Sequence, residues 1–290
     1  MKEILILSSK HYEDASASNY GDCILIDTGT RLFIYDCGSI EHAKRVIEYM
    51  DTHYYEKAVL ILSHNDQDHF DGIPYLIEKG RVSAIYTVLL LKHVDDILAK
   101  IDDKRKTRES TKNEILETYD NIAQLSGQDL HDIYEDNPFL SNEISIIGPD
   151  YSYMIDSVAK RLDGREGNTV DDETAVNATS IQLSIKFNSH RILLCGDSSF
   201  NAIESVLIDH DIVQLPHHGK SKQAEKIFDK KWNQNSTQYL VSDNTGNSNG
   251  GSDDLNTQGH IVHNTKRGDI IIDSAFFNSY AQKRTGSLGV

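Results

Sequence analysis

The stretch that decides the fold is Ser63-His64-Asn65-Asp66-Gln67-Asp68-His69-Phe70-Asp71-Gly72. The apolar run at residues 58–62 before it is typical of a buried strand, and residues 73–78 after it predict a helix. Two histidines and two aspartates therefore lie on a loop at a strand end, where proteins often place their chemistry. Imidazole and carboxylate side chains together favour a divalent transition-metal ion. A solvated polar turn is the alternative interpretation, but such turns seldom carry four ligand-type side chains so close together.

The composition indicates a globular chain of one large domain or two small ones. Its 290 residues, 38% of them hydrophobic, can bury a sizeable core. The sequence has no run of roughly 18 apolar residues, the length that a membrane helix needs. The start, Met1–Leu7, is too short for a signal-peptide core and predicts a first strand. Cys23, Cys37 and Cys195 are too scattered for a disulfide framework, so we expect a reducing, cytoplasmic setting.

The charge balance argues against a chain that binds long nucleic acids by a basic surface. The formal net charge is -16, from 45 acidic and 29 basic residues, whereas such binding depends on neutralising phosphates. A phosphodiester or nucleic-acid substrate that contacts bound metal ions remains compatible, because those ions invert the local field. We expect no affinity for anionic membranes, and the sequence does not identify which proteins the chain binds.

Strand-like and helix-like patterns alternate along the chain. The predicted strands lie at residues 3–8, 22–27, 31–36, 58–62, 81–91, 143–149, 180–187, 191–195, 211–215 and 238–242. Ser39 is a predicted N-cap for a helix over residues 40–53. Residues 260–263 and 269–272 predict a final hairpin. This alternation indicates an α/β protein.

The middle of the chain differs from the rest in its pattern of apolar and charged residues. Residues 92–135 carry apolar side chains at helical spacing among many charges, which predicts a helical insertion or lid within a single domain spanning 1–290. The insertion is either a substrate-selecting cap or a pair of solvated helices. Residues 150–178 are polar and predict a loop near the site, with the acidic run 171–173 as a solvated part of it.

Three predicted strand ends share one pattern, an apolar run followed by ligand-type side chains beside a glycine. They are the loop at 63–72, Gly196-Asp197, and Pro216-His217-His218-Gly219. Strand ends at one edge of a sheet can converge in space. Convergence would gather one pocket of candidate ligands: His64, Asp66, Asp68, His69, Asp197 and one or both of His217 and His218. That set suffices for one closed or two open metal sites.

Five motifs in order carry a resemblance to a known family. They are the hairpin of 21–26 and 34–38, the loop 64–69, Asn177-Ala178-Thr179-Ser180, Leu193-Leu194-Cys195-Gly196-Asp197, and Leu215-Pro216-His217-His218-Gly219. The chain resembles the metallo-β-lactamase-fold hydrolases, and more narrowly the branch that includes the nuclease-like domain of the competence protein ComEC. Asp66 stands where the family motif His-x-His-x-Asp-His has its second histidine, which is a feature of that branch. The resemblance spans roughly residues 3–90 and 177–275.

The resemblance implies a fold and a ligand set. The fold is a four-layer αββα sandwich of two mixed sheets with the metal site at one edge. One ion would be held by Asp68, His69 and a histidine of the 217–218 pair, with His217 as the predicted ligand. Asp197 would bridge to a second ion held by His64 and Asp66. The cofactors are one or two divalent ions, zinc or manganese. Asp66 makes its site harder, which favours manganese or a weakly held ion over tightly bound zinc.

The same resemblance implies a metal-dependent hydrolase. A phosphodiesterase or nuclease acting by a metal-activated hydroxide is the leading interpretation. Asp68 and His218 are the predicted catalytic residues, His218 as a proton donor if it is not a ligand. A hydrolase of an ester, thioester or lactam is one alternative, and an apolar pocket in place of cationic groups would favour it. A non-catalytic, metal-stabilised binding module of a larger system is the other.

The remaining side chains have supporting or structural interpretations. Asp36 and Ser198 are expected to orient metal ligands. Cys195, in an apolar strand, is expected to be a buried core thiol. His42, in a predicted helix, is expected at the surface. The family's further histidine ligand has no counterpart here with a matching sequence context.

Overall fold

The computed structural model describes residues 1–12, 21–136, 139–164, 169–234, 236–242 and 251–277. Its strands are β1 (Glu3–Ile6), β2 (Cys23–Asp27), β3 (Leu32–Cys37), β4 (Ala58–Ile61), β5 (Val82–Thr87), β6 (Leu130–Asp132), β7 (Ile144–Gly148), β8 (Thr169–Val170), β9 (Glu173–Thr174), β10 (Gln182–Phe187), β11 (His190–Leu194), β12 (Ile212–Gln214), β13 (Gln238–Val241), β14 (Ile261–Asn264) and β15 (Ile270–Ile272). Its α-helices are α1 (Ile40–Thr52), α2 (Gln67–Phe70), α3 (Ile73–Glu78), α4 (Val94–Lys100), α5 (Arg108–Thr118), α6 (Asp120–Gln124), α7 (Tyr151–Asp163), α8 (Ala175–Ala178), α9 (Phe200–Ile203), α10 (Pro216–Gly219) and α11 (Ser221–Lys230). Short 3-10 turns lie at Leu90–His93, Leu207–Asp209 and Thr265–Arg267.

The longer strands form two mixed sheets. The first has the order β15-β1-β2-β3-β4-β5-β6, and the second has the order β14-β13-β12-β11-β10-β7. In the first sheet, pairing is antiparallel from β15 to β3 and parallel from β3 to β6. In the second sheet, β14 to β11 are parallel, whereas β11, β10 and β7 are antiparallel. The predicted α/β architecture of two mixed sheets is confirmed.

Both faces of each sheet are buried, which explains the nearly continuous apolar runs in the strands. Along β2, Ile24 and Ile26 join the core between the sheets, while Cys23 and Leu25 pack on the side of helices α1 and α3. This division follows from the two-residue period of a strand. In the second sheet, Leu194 joins the inter-sheet core and helix α11 covers the outer face. The layers are therefore helix, sheet, sheet and helix.

Helix α1 confirms one prediction and corrects another. Ser39 caps the helix, since its side chain accepts a hydrogen bond from the backbone N–H of His42 at 3.1 Å. The predicted surface position of His42 was wrong, because the side chain is buried on the same helix face as Val46 and Met50. The helical spacing of 42, 46 and 50 indicated this face, but histidine was counted as polar.

The insertion at 92–135 packs into the domain. It contains helices α4, α5 and α6, as expected, and then strand β6 at the edge of the first sheet. Ile97, Ile115 and Tyr119 are buried in the core cluster that also fills the space between the sheets. A pair of solvated helices does not fit this burial. Strand β6 has three residues, which is too short for the apolar and polar alternation that predicts a strand.

The expected loop at 150–178 is wrong for most of its described residues, which lie in α7, β8, β9 and α8, while residues 165–168 lie outside the described part of the chain. Residues Tyr151–Asp163 form helix α7, capped by the Asp150 side chain, and the helix ends at Gly164 in the left-handed conformation at φ 68°. Its buried face carries Met154, Val158 and Leu162 at intervals of four residues. This periodicity was present in the sequence, but the many polar residues around it masked it.

The predicted final hairpin is also wrong. Strand β14 pairs in parallel with β13 in the second sheet, whereas β15 pairs antiparallel with β1 in the first sheet. The short connection at Thr265–Arg267 thus crosses from one sheet to the other. Two apolar runs and a short link are typical of a hairpin, but sheet partners far away in sequence decide the pairing. Across the described residues, no helix combines the length and the apolar character that crossing a membrane would require.

The Tyr35 hydroxyl connects the two sheets at the edge that carries the site. It donates a hydrogen bond of 2.6 Å to the backbone carbonyl of Ile181, just before β10, and Tyr35 is fully buried. Tyr35→Phe removes this buried donor, so we expect the free energy of unfolding to fall by about 1–3 kcal/mol in urea denaturation. Tyr54→Phe is the control, since Tyr54 is 94% exposed, and should change nothing. Equal stability of Tyr35→Phe and wild type would contradict the account.

Candidate metal centre

The three predicted strand ends do converge at one edge of the sandwich. His64 follows β4, Asp197 follows β11, and His217 and His218 lie in the short helix α10 that follows β12. Asp197 Oδ1 lies 3.4 Å from the Nε2 atom of His69, and Asp197 Oδ2 lies 3.9 Å from that of His64. The Nε2 atoms of His217 and His218 lie 3.8 Å and 3.9 Å from Asp197 Oδ2. Four imidazoles thus face one buried carboxylate.

Asp68 and Asp66 complete the cluster in different ways. Asp68 Oδ2 lies 3.0 Å from His218 Nε2 and 3.8 Å from His69 Nε2, so these three side chains form one group of potential ligands. Asp66 Oδ2 lies 3.7 Å from His64 Nε2, and the Asp66 side chain is 42% exposed. Asp66 therefore lies on the solvent side of the centre.

The centre has the chemistry and the spacing of a metal site. Three of its atoms are buried and make no hydrogen bond within the described parts of the chain: His64 Nε2, His69 Nε2 and Asp197 Oδ1. Buried polar atoms in folded proteins almost always have a hydrogen-bond partner, so a cluster of three such atoms without one indicates a place where a ligand binds. Two ligands of a tetrahedral ion, each about 2.1 Å from it, lie about 3.4 Å apart. The observed separations of 3.4–3.9 Å match this spacing, so the residues present fit divalent ions.

On the side of the first sheet, Asp36 fixes two of the imidazoles. His69 Nδ1 donates to Asp36 Oδ2 at 2.8 Å. Ser63 Oγ donates to the same carboxylate at 2.6 Å and therefore accepts from His64 Nδ1 at 2.9 Å. With protons on Nδ1, both rings present an Nε2 lone pair to the centre. The predicted orienting role of Asp36 is supported by these contacts, whereas the Ser198 hydroxyl donates to the Ser180 carbonyl instead of a ligand.

On the side of the second sheet, His217 and His218 are held in the same manner. His217 Nδ1 donates to Glu173 Oε2 at 2.7 Å. His218 Nδ1 donates to the Ser242 carbonyl at 2.8 Å and lies 3.2 Å from Asp22 Oδ1. All four imidazoles therefore keep a proton on Nδ1 and direct Nε2 toward Asp197 or Asp68.

The backbone is strained where these ligands are placed. His217 and His218 adopt left-handed conformations, with φ of 52° and 55°, and Gly219 continues the turn at φ 84°. Asp36 is also left-handed, at φ 59°. Such conformations are unfavourable for residues other than glycine and persist where the surrounding structure enforces them, often at functional sites.

The electrostatics of the centre favour bound cations. Burial raises the pKa of Asp197, but the charges of His218, His217 and His69 lower it well below its ordinary value. Burial lowers the pKa of His69, but the carboxylates of Asp197, Asp68 and Asp36 raise it well above its ordinary value. Protons and metal ions compete for the same Nε2 atoms, so the attraction that retains these protons is available to a metal ion.

Glu173 and Asn177 were missed as supporting residues. The expectation that 171–173 is solvated was wrong for Glu173, which is buried and accepts hydrogen bonds from His217, Lys220 and Gln223. Asn177 Nδ2 donates to Asp197 Oδ2 at 3.4 Å. Asn177 is the first residue of the motif Asn177-Ala178-Thr179-Ser180, so the sequence did point to it. A run of three acidic residues, in contrast, does not indicate that one of them is buried.

The insertion is tied to the metal loop through Asn65. Its side-chain oxygen accepts from the Ile122 N–H at 3.0 Å, and its side-chain nitrogen donates to the Thr118 carbonyl at 3.3 Å. Asn121 Nδ2 donates to the Asn65 carbonyl at 2.6 Å. Helices α5 and α6 therefore hold the residue that separates His64 from Asp66.

Comparison with known protein families agrees with this geometry. The model of the metallo-beta-lactamase superfamily matches residues 19–236. The chain belongs to this superfamily. The matched region contains all the candidate ligands, from His64 to His218. Members of the metallo-β-lactamase superfamily are metal-dependent hydrolases, which is the class that the donor set fits.

Two solved structures share the metallo-β-lactamase fold with this chain over almost their full length. The metallo-beta-lactamase fold protein YhfI from Bacillus subtilis has a TM-score of 0.56 and 14% identity, over 94% of this chain and 99% of that chain. Tm1679, described as a metal-dependent hydrolase of the beta-lactamase superfamily, has a TM-score of 0.52 and 14% identity, over 94% of this chain and 98% of that chain. At such identities the likeness concerns the fold alone. None of the curated proteins compared with the chain matches it.

The contact between Glu173 and His217 can be tested within the acidic run. Glu173→Gln keeps the shape but removes the negative charge behind the imidazole, so we expect affinity for Mn²⁺ or Zn²⁺ to fall by about 10-fold in chelator competition. Asp172→Asn is the matched control, because Asp172 is an exposed neighbour that pairs with Lys222 and Lys226. Equal metal affinity of the two variants would show that Glu173 does not support a ligand.

Proposed function

We propose that the chain is a hydrolase with two adjacent divalent metal positions that share Asp197. Asp68, His69 and His218 would hold one ion, because His218 Nε2 lies beside Asp68 Oδ2 at 3.0 Å. His64 and Asp66 would hold the other. The observation that carries this proposal is the convergence of four Nε2 atoms on one buried carboxylate.

Both histidines of the 217–218 pair enter the proposed site. His217 was the predicted ligand and His218 the predicted proton donor, but each directs Nε2 toward Asp197 Oδ2. We assign His218 to the ion of Asp68 and His69. We assign His217 to the ion of His64, where it supplies the histidine that no sequence motif provided. The predicted catalytic pair, Asp68 and His218, lies in hydrogen-bond contact at the centre.

The protein's own contribution is to orient these ligands before substrate arrives. When bound, divalent ions supply Lewis acidity, lowering the pKa of water and stabilising negative charge on the reacting oxygens. Asp36, Glu173 and the Ser242 carbonyl hold the Nδ1 protons of three imidazoles, so those rings need no reorientation. Asp66, a carboxylate beside His64, makes that position harder and favours Mn²⁺ there, with Zn²⁺ as the other candidate.

Phosphodiesters are the first candidate substrates. Two adjacent metal positions, held by the residues around Asp197, would suit hydrolysis at phosphorus. The motif order and Asp66 support our assignment to the ComEC-like branch, which implies nuclease-type chemistry. The net charge of -16 favours a small phosphodiester over a long nucleic acid. We place this reaction in the cytoplasm, a proposal that rests on the buried thiols of the three cysteines.

One observation favours carbonyl substrates as the second candidate. A narrow cavity with a mainly apolar lining, which includes Val88, Leu90 and Ile122 besides the hydroxyls of Thr87 and Thr179, extends to His64. Such an apolar lining suits the hydrocarbon part of an ester, thioester or lactam. None of its lining residues is a lysine or an arginine that could hold a phosphate.

Metal content and hydrolysis together test the proposed function. We expect wild-type protein to carry one or two transition-metal ions per chain, to hydrolyse bis-p-nitrophenyl phosphate with Mn²⁺, and to lose activity in EDTA. The double variant Asp68→Ala/His69→Ala should lose metal and activity, while Asp71→Asn, at an exposed position of the same loop, should keep both. Turnover of p-nitrophenyl butyrate in place of the phosphodiester would select the carbonyl candidate. Unchanged activity in the double variant would refute the proposal, and metal without any turnover would point to a binding module.

A further inference from the structure

An apolar cavity of about 250 Å³ lies beneath the insertion. Its walls are the segment Val88–Leu91 after β5, together with Ile115 and Leu116 of α5 and Ile122 and Ala123 of α6. Apart from Tyr119 and Ser126, all of its lining residues are aliphatic. Apolar hydration makes such a space favourable for a hydrocarbon ligand.

The cavity leads toward the metal centre. A second, narrow cavity shares Val88, Leu90, Tyr119 and Ile122 with it and continues to Ser63 and His64. This neck has a volume of about 10 Å³, which is close to the space that one water molecule requires. Side chains shared by the two cavities therefore separate the apolar space from the His64 imidazole.

We propose that this cavity binds a linear aliphatic chain of the substrate. The scissile ester group would reach the metal centre once the side chains at the neck, such as Val88 and Leu90, move aside, because the neck itself has room for about one water molecule. The cavity volume of about 250 Å³ exceeds the roughly 150 Å³ of an engineered apolar cavity that binds benzene, so it has room for a chain of about six to eight carbons. The position of the ester rests on the proposed hydrolase function, whereas binding of the chain does not. The aliphatic chain is the chemistry shared by alkyl phosphodiesters and carboxylic esters.

Alcohols of increasing length test the binding step without any reaction. We expect calorimetric titration of the metal-loaded protein with 1-butanol, 1-hexanol and 1-octanol to show affinity rising about fourfold per methylene. Ala123→Phe fills the cavity and should weaken 1-octanol binding at least tenfold. Ala99→Phe, the same substitution at an exposed position of α4, should bind like wild type.

A second variant tests the cavity independently in case Ala123→Phe does not fold. Leu116 lines the cavity yet is 41% exposed, so Leu116→Asn should fold normally and still weaken 1-octanol binding. Affinity that is independent of chain length, or unchanged in both cavity variants while circular dichroism shows them folded, would overturn the proposal.

Substrates of matched chain length identify the group that the chain carries. For p-nitrophenyl alkyl phosphates and p-nitrophenyl alkanoates of two to ten carbons, we expect kcat/KM to rise with length up to about eight carbons in one series. Ala123→Phe should abolish that rise. If alcohols bind and bis-p-nitrophenyl phosphate is hydrolysed but neither series is turned over, the placement of the ester is refuted. If none of the three substrates is turned over while alcohols bind, the hydrolase function is refuted and the binding of the chain stands. Turnover with no dependence on length would refute the cavity assignment instead.

Discussion

The site depends on one constraint, which is that each of four imidazoles is fixed through Nδ1 by an oxygen acceptor of the protein. With Nδ1 protonated, Nε2 offers its lone pair to the centre, and Asp197 lies within 4 Å of every one of these atoms. A buried cluster of this kind is costly unless cations neutralise its carboxylates. Protons do this in part, as the raised pKa values of His69 and His218 indicate. Divalent ions would do it with the donor atoms already in place.

The fold satisfies this constraint because it brings together strand ends that are distant in sequence. Asp36, at the end of β3, holds Ser63 through both its backbone N–H and its hydroxyl at 2.6 Å, and so fixes the loop after β4. Gly21 approaches the same loop so closely that an added Cβ would lie 1.4 Å from the Asp68 carbonyl oxygen. Only glycine fits there, also because its φ is 58°. The strained residues of α10 supply His217 and His218 from the other sheet.

Much of this arrangement could be predicted from local sequence. The loop at 63–72, Asp197 and the 217–218 pair each follow an apolar run, and the ends of such strands meet at one edge. Glu173 could not be found this way, because its burial depends on His217 and Gln223, which are about 45 to 50 residues away. The pairing of β14 and β15 with different sheets is equally non-local. Sequence patterns thus predicted the candidate ligands and one Nδ1 acceptor, Asp36, whereas Glu173 and the Ser242 carbonyl were identified only from tertiary contacts.

The insertion contacts both the apolar cavity and the loop that carries the candidate metal ligands. Helices α5 and α6 hold Asn65 on one side and line the apolar cavity on another. An occupant of that cavity would therefore contact the same helices that position His64. The substrate preference of the protein would then lie in residues 92–135, where the sequence carries no recognised motif.

Anomalous diffraction from crystals of the protein grown with Mn²⁺ or Zn²⁺ tests the central claim most directly. We expect two peaks beside Asp197 at the metal's absorption edge. One should lie within bonding distance of Nε2 of His69 and His218 and of Asp68, and the other within bonding distance of Nε2 of His64 and His217. Each Nδ1 atom should keep its present oxygen acceptor. Coordination through Nδ1, or peaks only at sites away from Asp197, would contradict the account.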